Sequence, residues 1–320
     1  MSKIIGVLTS GGDAPGMNAA IRAVTRSALA RGYEVYGIRD GFKGLVDGDF
    51  VKLDRTSVSD ILARGGTFLG TARLPEFRDD EVQNIAIKQM QAVGMDSLIA
   101  IGGDGTYKGI YSLIKKGISV VGMPGTIDND CPGTEYTIGF HTALNTIVEA
   151  VDKLRDTSAS HHRCSVVEVM GNHCGDLALY SAICTGAEVA IIPEDNFREE
   201  ETLAKILHLD KVKKGRHAIV IATEKLIDVY ALADKITKMS TFTGRATVLG
   251  HIQRGGSPVP EDRLLATRLG DKAVELLANG INGHCVGIVD DKIVSEDIIE
   301  AIDKNKVYKS DLLDVFERIA

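Results

Sequence analysis

Short, solidly apolar runs separated by longer amphipathic stretches constrain this chain more than any other feature. The runs are residues 4–8, 34–38, 98–101, 120–123, 165–170, 189–192, 218–222, 246–249 and 286–289. Most show no polar alternation, which is the pattern of strands covered on both faces. Between them, residues 17–30, 140–155 and 262–278 read as amphipathic helices. Strand–helix alternation of this kind predicts an α/β fold with parallel sheets and right-handed crossovers. Ligands in such sheets bind beyond the carboxyl ends of the strands, so the loops directly after the apolar runs are where chemistry is sought.

At 320 residues the chain can hold two α/β domains or one large one. No linker rich in Pro, Gly and Ser separates them. Turn-rich stretches at 123–139 and 251–260 are the candidate crossing points. With 44% hydrophobic and 25% charged residues the composition is that of an ordinary globular protein. A net charge of -7 argues against nucleic acid as a partner. The densest basic stretch, Lys211, Lys213, Lys214 and Arg216, reads as a helix end and loop or as a small anion site. No apolar run approaches the ~20 residues that span a bilayer, and residues 1–10 carry neither the apolar core nor the cleavage site of a signal peptide. A cytoplasmic protein without membrane partners is therefore expected. The five cysteines, Cys131, Cys164, Cys174, Cys184 and Cys285, are odd in number and lack zinc spacing, as expected in a reducing compartment.

Three post-strand loops carry the chemical signal. Residues 10–18 read Ser-Gly-Gly-Asp-Ala-Pro-Gly-Met-Asn and open a helix. Glycines let backbone N–H groups close around a phosphate, and a helix N-terminus adds partial positive charge. The spacing is neither the dinucleotide fingerprint nor the Walker loop, so a plain tight turn explains this loop as well. The second loop, Gly102-Gly103-Asp104-Gly105-Thr106, admits a bulky anion. Asp104 stands there with no cation nearby in sequence and suits Mg²⁺, which takes oxygen ligands and keeps several waters; the alternative is an Asp that caps the helix. The third loop, Pro124-Gly125-Thr126-Ile127-Asp128-Asn129-Asp130, sets two carboxylates two residues apart after a buried strand. Phosphoryl transfer to a hydroxyl wants a carboxylate that takes its proton. Asp128 fits that base, and Asp130 could orient it or reach the waters of a metal ion. A capped turn is the alternative.

Together with Gly-Gly-Thr-Phe-Leu-Gly-Thr-Ala-Arg at 65–73, Arg-Asp-Thr-Ser at 155–158, Val-Val-Glu-Val-Met-Gly at 166–171 and Gly-His-Ile-Gln-Arg-Gly-Gly-Ser-Pro at 250–258, the three loops resemble the bacterial ATP-dependent 6-phosphofructokinases. The resemblance covers essentially the whole chain. It implies two Rossmann-like three-layer domains with mostly parallel sheets: residues 1–138 with 252–304 binding ATP, and 139–251 with 305–320 binding fructose 6-phosphate. It implies phosphorylation of the sugar 1-hydroxyl, a committed and allosterically regulated step of glycolysis, in a homotetramer that uses Mg²⁺.

By the same resemblance, Gly11, Arg73, Leu74, Gly103, Asp104, Gly105 and Thr106 bind ATP, with Asp104 on the metal. Asp128 is the base, Arg73 stabilises the transferring group, and Thr126 and Asp130 accompany them. The sugar phosphate falls to Thr126, Ile127, Asp128, Met170, Gly171, Asn172, Glu224, His251, Ile252, Gln253 and Arg254, with Arg163 and Arg245 reaching it from a neighbouring subunit. An effector site for ADP, GDP or phosphoenolpyruvate falls on Arg22, Arg26, Arg55, Arg155, Gly186, Glu188, Lys213, Gly215, Arg216 and His217. The chain carries one extra residue just upstream of Lys213, and Gly215 stands where the family often has Lys.

Pyrophosphate-dependent relatives carry Asp at the position of Gly105 and Lys at that of Gly125, so the two glycines favour ATP. A pyrophosphate-dependent enzyme and a nucleotide-sensing paralogue are the alternatives. Two departures stand out. Asn172 replaces the usual Arg and removes a cation from the reacting phosphates, which His173 can offset when protonated. Phe42 replaces a common Tyr.

Overall fold

In the computed structural model the described residues are 3–212, 216–304 and 310–320. In chain order the elements are β1 (Ile4–Thr9), α1 (Met17–Ala30), β2 (Glu34–Ile38), α2 (Phe42–Asp47), β3 (Phe50–Leu53), α3 (Asp80–Ala92), β4 (Met95–Gly102), α4 (Asp104–Lys115), β5 (Ser119–Pro124) and α5 (Phe140–His161). There follow β6 (Arg163–Val169), α6 (Asp176–Thr185), β7 (Val189–Ile191), α7 (Glu199–Val212), β8 (Ala218–Thr223), α8 (Val229–Met239), β9 (Thr243–Val248), α9 (Pro260–Ala278), β10 (His284–Val289), β11 (Lys292–Asp297), α10 (Ile298–Asp303) and α11 (Ser310–Ile319). The chain divides into two compact units, Met1–Thr142 with Arg254–Lys306 and Ala143–Gln253 with Val307–Ala320.

The first unit is built on a seven-stranded sheet of order β11-β10-β5-β4-β1-β2-β3. Its centre is parallel, β1 pairing with β2 and β4, and β5 with β4 and β10. The apolar runs explain this centre: β1 and β4 are almost wholly buried, as strands covered on both faces must be. The two edges are antiparallel, β3 on β2 and β11 on β10. Neither edge strand was expected from the sequence, because each is mostly half-exposed and interrupts its apolar residues with charge. One core of this unit gathers Leu8, Ile38, Met90, Leu98, Tyr107 and Ile110. Phe42 is buried in it and stacks on Phe77 with ring centroids 4.3 Å apart.

The second unit holds a four-stranded sheet of order β7-β8-β6-β9, parallel throughout. Every residue of β8 is buried, whereas β9, at one edge, leaves Arg245 and Val248 exposed. A separate core forms around Val166, Val220, Leu232, Ile236 and Phe242. Cys131, Cys164, Cys174 and Cys285 are buried and Cys184 is exposed; all five are thiols rather than half-cystines. Burial pushes the Cys164 thiol up to about 12 and the Cys285 thiol up to about 11. Among the described residues no helix is long and apolar enough to cross a membrane.

Candidate functional site

In the first unit the three glycine loops follow β1, β4 and β5, which are neighbours in the sheet. Strand order reverses between β1 and β4, and ligands of open α/β sheets settle at such a switch point. The loops are stitched together. Ser10 N–H donates to Ile101 O at 2.9 Å, Gly125 N–H to Gly102 O at 3.0 Å, and the Thr106 hydroxyl to Ser10 O at 3.3 Å. Gly102 is required by this closeness: a Cβ there would stand 2.2 Å from Thr106 Oγ1 and 2.4 Å from Ser10 O. The Thr71 hydroxyl donates to Gly11 O at 2.8 Å, which ties the stretch before the exposed Arg73 and half-buried Leu74 to the first loop.

Asp104 opens α4, and Gly103 takes the N-cap position without any side-chain cap. Its carboxylate does not cap the helix; it pairs with Lys108 Nζ at 2.6 Å, one turn on. The expectation of no cation nearby is thus corrected: four residues of sequence become one helical turn. With half of its side chain exposed, Asp104 can exchange that ammonium for a hydrated ion. Among the described residues no group of three acids, histidines or cysteines could hold a metal. A single carboxylate nevertheless suffices for Mg²⁺ that arrives on donor phosphates, so the residues present fit the ion.

Asp128 is only 8% exposed. Its Oδ2 lies 3.4 Å from the Thr126 hydroxyl, and its own N–H donates to that hydroxyl at 3.2 Å. The loop around it is closed by Asn129, left-handed at φ 54. Asn129 accepts from Thr137 N–H at 2.9 Å and donates to Glu135 O at 3.0 Å. The Thr137 hydroxyl donates to Thr126 O at 2.6 Å. Ile127 is fully buried and Asp130 half-buried. Beneath lies Asp262, fully buried at the start of α9. Its carboxylate accepts from Gly139 N–H at 2.9 Å, Thr142 N–H at 2.8 Å and the Thr142 hydroxyl at 2.6 Å. The acid of one helix thereby caps another, and no sequence motif announces it. Arg254 also belongs to this unit; its Nη1 donates to Asp13 O at 3.3 Å and covers Gly12, where a Cβ would meet the guanidinium.

In the second unit the candidates gather beyond the carboxyl ends of β6 and β8. Register pairs Val169 with Thr223, so Met170-Gly171-Asn172 and Glu224-Lys225 leave the sheet side by side. Met170 N–H donates to Gln253 Oε1 at 3.1 Å and Asn172 N–H to Glu224 Oε1 at 3.1 Å. Gly171 has φ 141, and a Cβ there would stand 2.4 Å from Cys174 O. Lys225, which the sequence reading did not single out, donates from Nζ to Asn172 Oδ1 at 2.9 Å. His251 and Ile252 are exposed in the short helical turn Gly250–Arg254. Arg163 is half-buried and donates to Thr157 Oγ1 at 3.2 Å, whereas Arg245 is exposed on β9.

The effector candidates fall into two groups. Arg22 and Arg26 lie one turn apart on α1 with buried Nε atoms that lack hydrogen-bond partners. Burial, and then the neighbouring Arg26, lower the pKa of Arg22. Arg55 is exposed in the same unit. In the second unit Arg155 reaches His217 Nε2 at 3.2 Å and also bonds the carbonyls of Thr185 and Gly186. Glu188 is buried and accepts from Ile219 N–H at 2.6 Å, while Arg216 is exposed. Lys213, Lys214 and Gly215 lie outside the described residues. A cavity of about 310 Å³ in this unit is lined by Ala190, Ile192, Asp195, Phe197, Arg198 and Glu201 among others; none of the candidates lines it.

A family model described as phosphofructokinase matches residues 4–277. Phosphofructokinase from Saccharomyces cerevisiae is 35% identical over 94% of this chain and 45% of its own, with a TM-score of 0.86. Pichia pastoris phosphofructokinase in the T-state is 37% identical over 100% of this chain and 36% of its own, with a TM-score of 0.88. This chain thus spans less than half the length of either yeast chain. The pyrophosphate-dependent phosphofructokinase of Marinobacter aquaeolei shares the fold at a TM-score of 0.86 with 21% identity, over 96% of this chain and 86% of its own.

Proposed function

This chain belongs to the phosphofructokinase family, and from that premise we propose that it moves the γ-phosphoryl group of ATP onto the 1-hydroxyl of fructose 6-phosphate. The observation that carries the reading is the row of three stitched loops at the ends of β1, β4 and β5, with the buried Asp128 in the third.

Asp128 takes the proton of the 1-hydroxyl as its oxygen attacks phosphorus, and Thr126 holds the carboxylate in place. Backbone N–H groups at the start of α4, residues 103–105, receive the inner phosphates, aided by the helix dipole. Arg73 sits exposed beside the first loop and offers its guanidinium to charge that develops on the transferring group. Asp104 would hold Mg²⁺, whose charge spreads over the donor phosphates. The first unit is thus the nucleotide-binding half. Met170, Gly171, Asn172, Glu224, His251 and Gln253 of the second receive the sugar. Arg163 and Arg245 serve the sugar phosphate of a neighbouring copy, in keeping with the homotetramer that the family resemblance implies. Arg22, Arg26, Arg55, Arg155, Glu188, Arg216 and His217 serve an effector anion such as ADP, GDP or phosphoenolpyruvate, and the enzyme works in the cytoplasm.

Two glycines support ATP as donor. A Cβ at Gly105 meets nothing within 4 Å, so an Asp there would stand as a free carboxylate beside the phosphates. A Cβ at Gly125 would lie 2.8 Å from Ile101 Cγ2 and 3.3 Å from Met17 Cε, so a Lys cannot enter without repacking. A coupled assay with fructose 6-phosphate and Mg²⁺ tests the proposal. Turnover is expected with ATP and not with pyrophosphate; the reverse result exchanges the donor, and no turnover with either rejects the activity.

A further inference from the structure

Seven non-glycine residues among those described have positive φ. Six are Asp, Asn or His, the types that tolerate the left-handed region. The seventh is Lys225, at φ 69. Nothing in a lysine side chain favours that conformation, and residues held in sparsely populated backbone regions gather at binding sites. The residue it bonds, Asn172, is itself left-handed at φ 57. Two such residues therefore face each other across the ends of two paired parallel strands, the edge where ligands of these sheets bind. The consequence is a placed cation. An exposed lysine ordinarily wanders over many rotamers, whereas this one is returned toward the neighbouring strand end and set on an amide oxygen. The backbone of Asn172 is anchored in turn, its main-chain N–H donating to Glu224 Oε1.

We propose that Lys225, held over the end of β6 by Asn172, binds an anionic oxygen of the phosphorylated sugar at the carboxyl edge of the second sheet. This rests on the sugar-phosphate reading above and deepens it. An ammonium has three donors and no acceptor, so one N–H can stay on Asn172 while the others meet a phosphate. Asn172, which carries no charge of its own where a cation would be useful, becomes a positioning residue for the cation that β8 supplies.

The test compares the wild-type enzyme with Lys225→Asn, which tolerates the backbone conformation and removes the charge, and with Lys225→Arg, which keeps the charge. Binding of fructose 6-phosphate and of fructose 1,6-bisphosphate is measured by calorimetry, beside steady-state kinetics and thermal melting. Lys225→Asn is expected to weaken both sugar phosphates by about tenfold, the range of a lost charge-assisted hydrogen bond. Its KM for ATP and its melting temperature should remain unchanged, and Lys225→Arg should recover most of the affinity. Wild-type turnover together with unaltered sugar-phosphate binding in Lys225→Asn overturns this inference alone. A wild-type enzyme that neither binds nor phosphorylates fructose 6-phosphate overturns both it and the reading beneath it.

Discussion

The carboxyl edges of the two sheets are built in different ways. In the first unit the loops are fixed by backbone hydrogen bonds, by short Thr and Asn side chains that bond the main chain, and by glycines whose places leave little room for a side chain: Gly102 between Ser10 and Thr106, Gly125 against Ile101 and Met17. Asp128, the proposed base, is buried among them. In the second unit, beside backbone bonds such as Glu224 N–H to Val169 O, longer side chains span the loops after β6 and β8: Gln253 on Met170, Glu224 on Asn172 and Lys225 on Asn172. The difference suits the two tasks proposed for the two units. Phosphoryl transfer rewards groups that need no reorganisation as charge develops. A sugar phosphate that must enter and leave is served by polar side chains that trade one partner for another.

The largest effect should follow from the centre of the rigid edge. Asp128→Asn keeps the size and the bond to Thr126 but cannot take a proton. A fall in kcat of about 10²- to 10⁴-fold is expected, with little change in either KM. Single-turnover kinetics checks this, and a kcat within a few fold of wild type would remove Asp128 as base. Next comes the support under that edge. Asp262→Ala leaves Gly139 N–H and Thr142 N–H unpaired at the start of α5 and should cost about 3 kcal/mol. Melting temperature should drop by about 5 °C. Asp262→Asn, which retains one acceptor oxygen, should lose less. If both variants melt like the wild type, the cross-helix cap contributes nothing and the rigidity of the third loop has another source.

The sequence made the rigid edge far more legible than the adaptable one. Solidly apolar runs mark β1, β4, β5 and β8, because strands buried on both faces leave no room for polar residues. The edge strands β3 and β11 escaped, since half-exposed antiparallel strands carry charges such as Lys52, Glu296 and Asp297 that blur the pattern. Glycines clustered after a buried strand exposed the three loops, because close backbone approach leaves a compositional trace. Asp262 leaves none: its partners stand some 120 positions away, and an Asp after Pro-Glu reads as an ordinary first-turn acid. Lys108 was hidden by reading along the chain when the helix brings i and i+4 together. Lys225 was hidden more deeply, since its significance lies in a backbone angle and in the register of β6 against β8.

The smallest expected effect probes the adaptable edge through its own repulsion. Glu168 in β6 has its carboxyl pushed above the usual range by partial burial, and further by Glu224 and Asp228. A raised value in the folded state means that the native protein binds this proton more tightly than the unfolded chain does. The associated stability is present at low pH and is lost as pH rises through the folded value. Glu168→Gln abolishes that loss. Its melting temperature relative to wild type should therefore climb between pH 4 and pH 7, by only a degree or so, because solvent screens a half-exposed group. A constant difference across that interval would mean that the acids beside β6 and β8 do not strain this edge. Its reliance on side-chain bonds would then owe nothing to charge crowding.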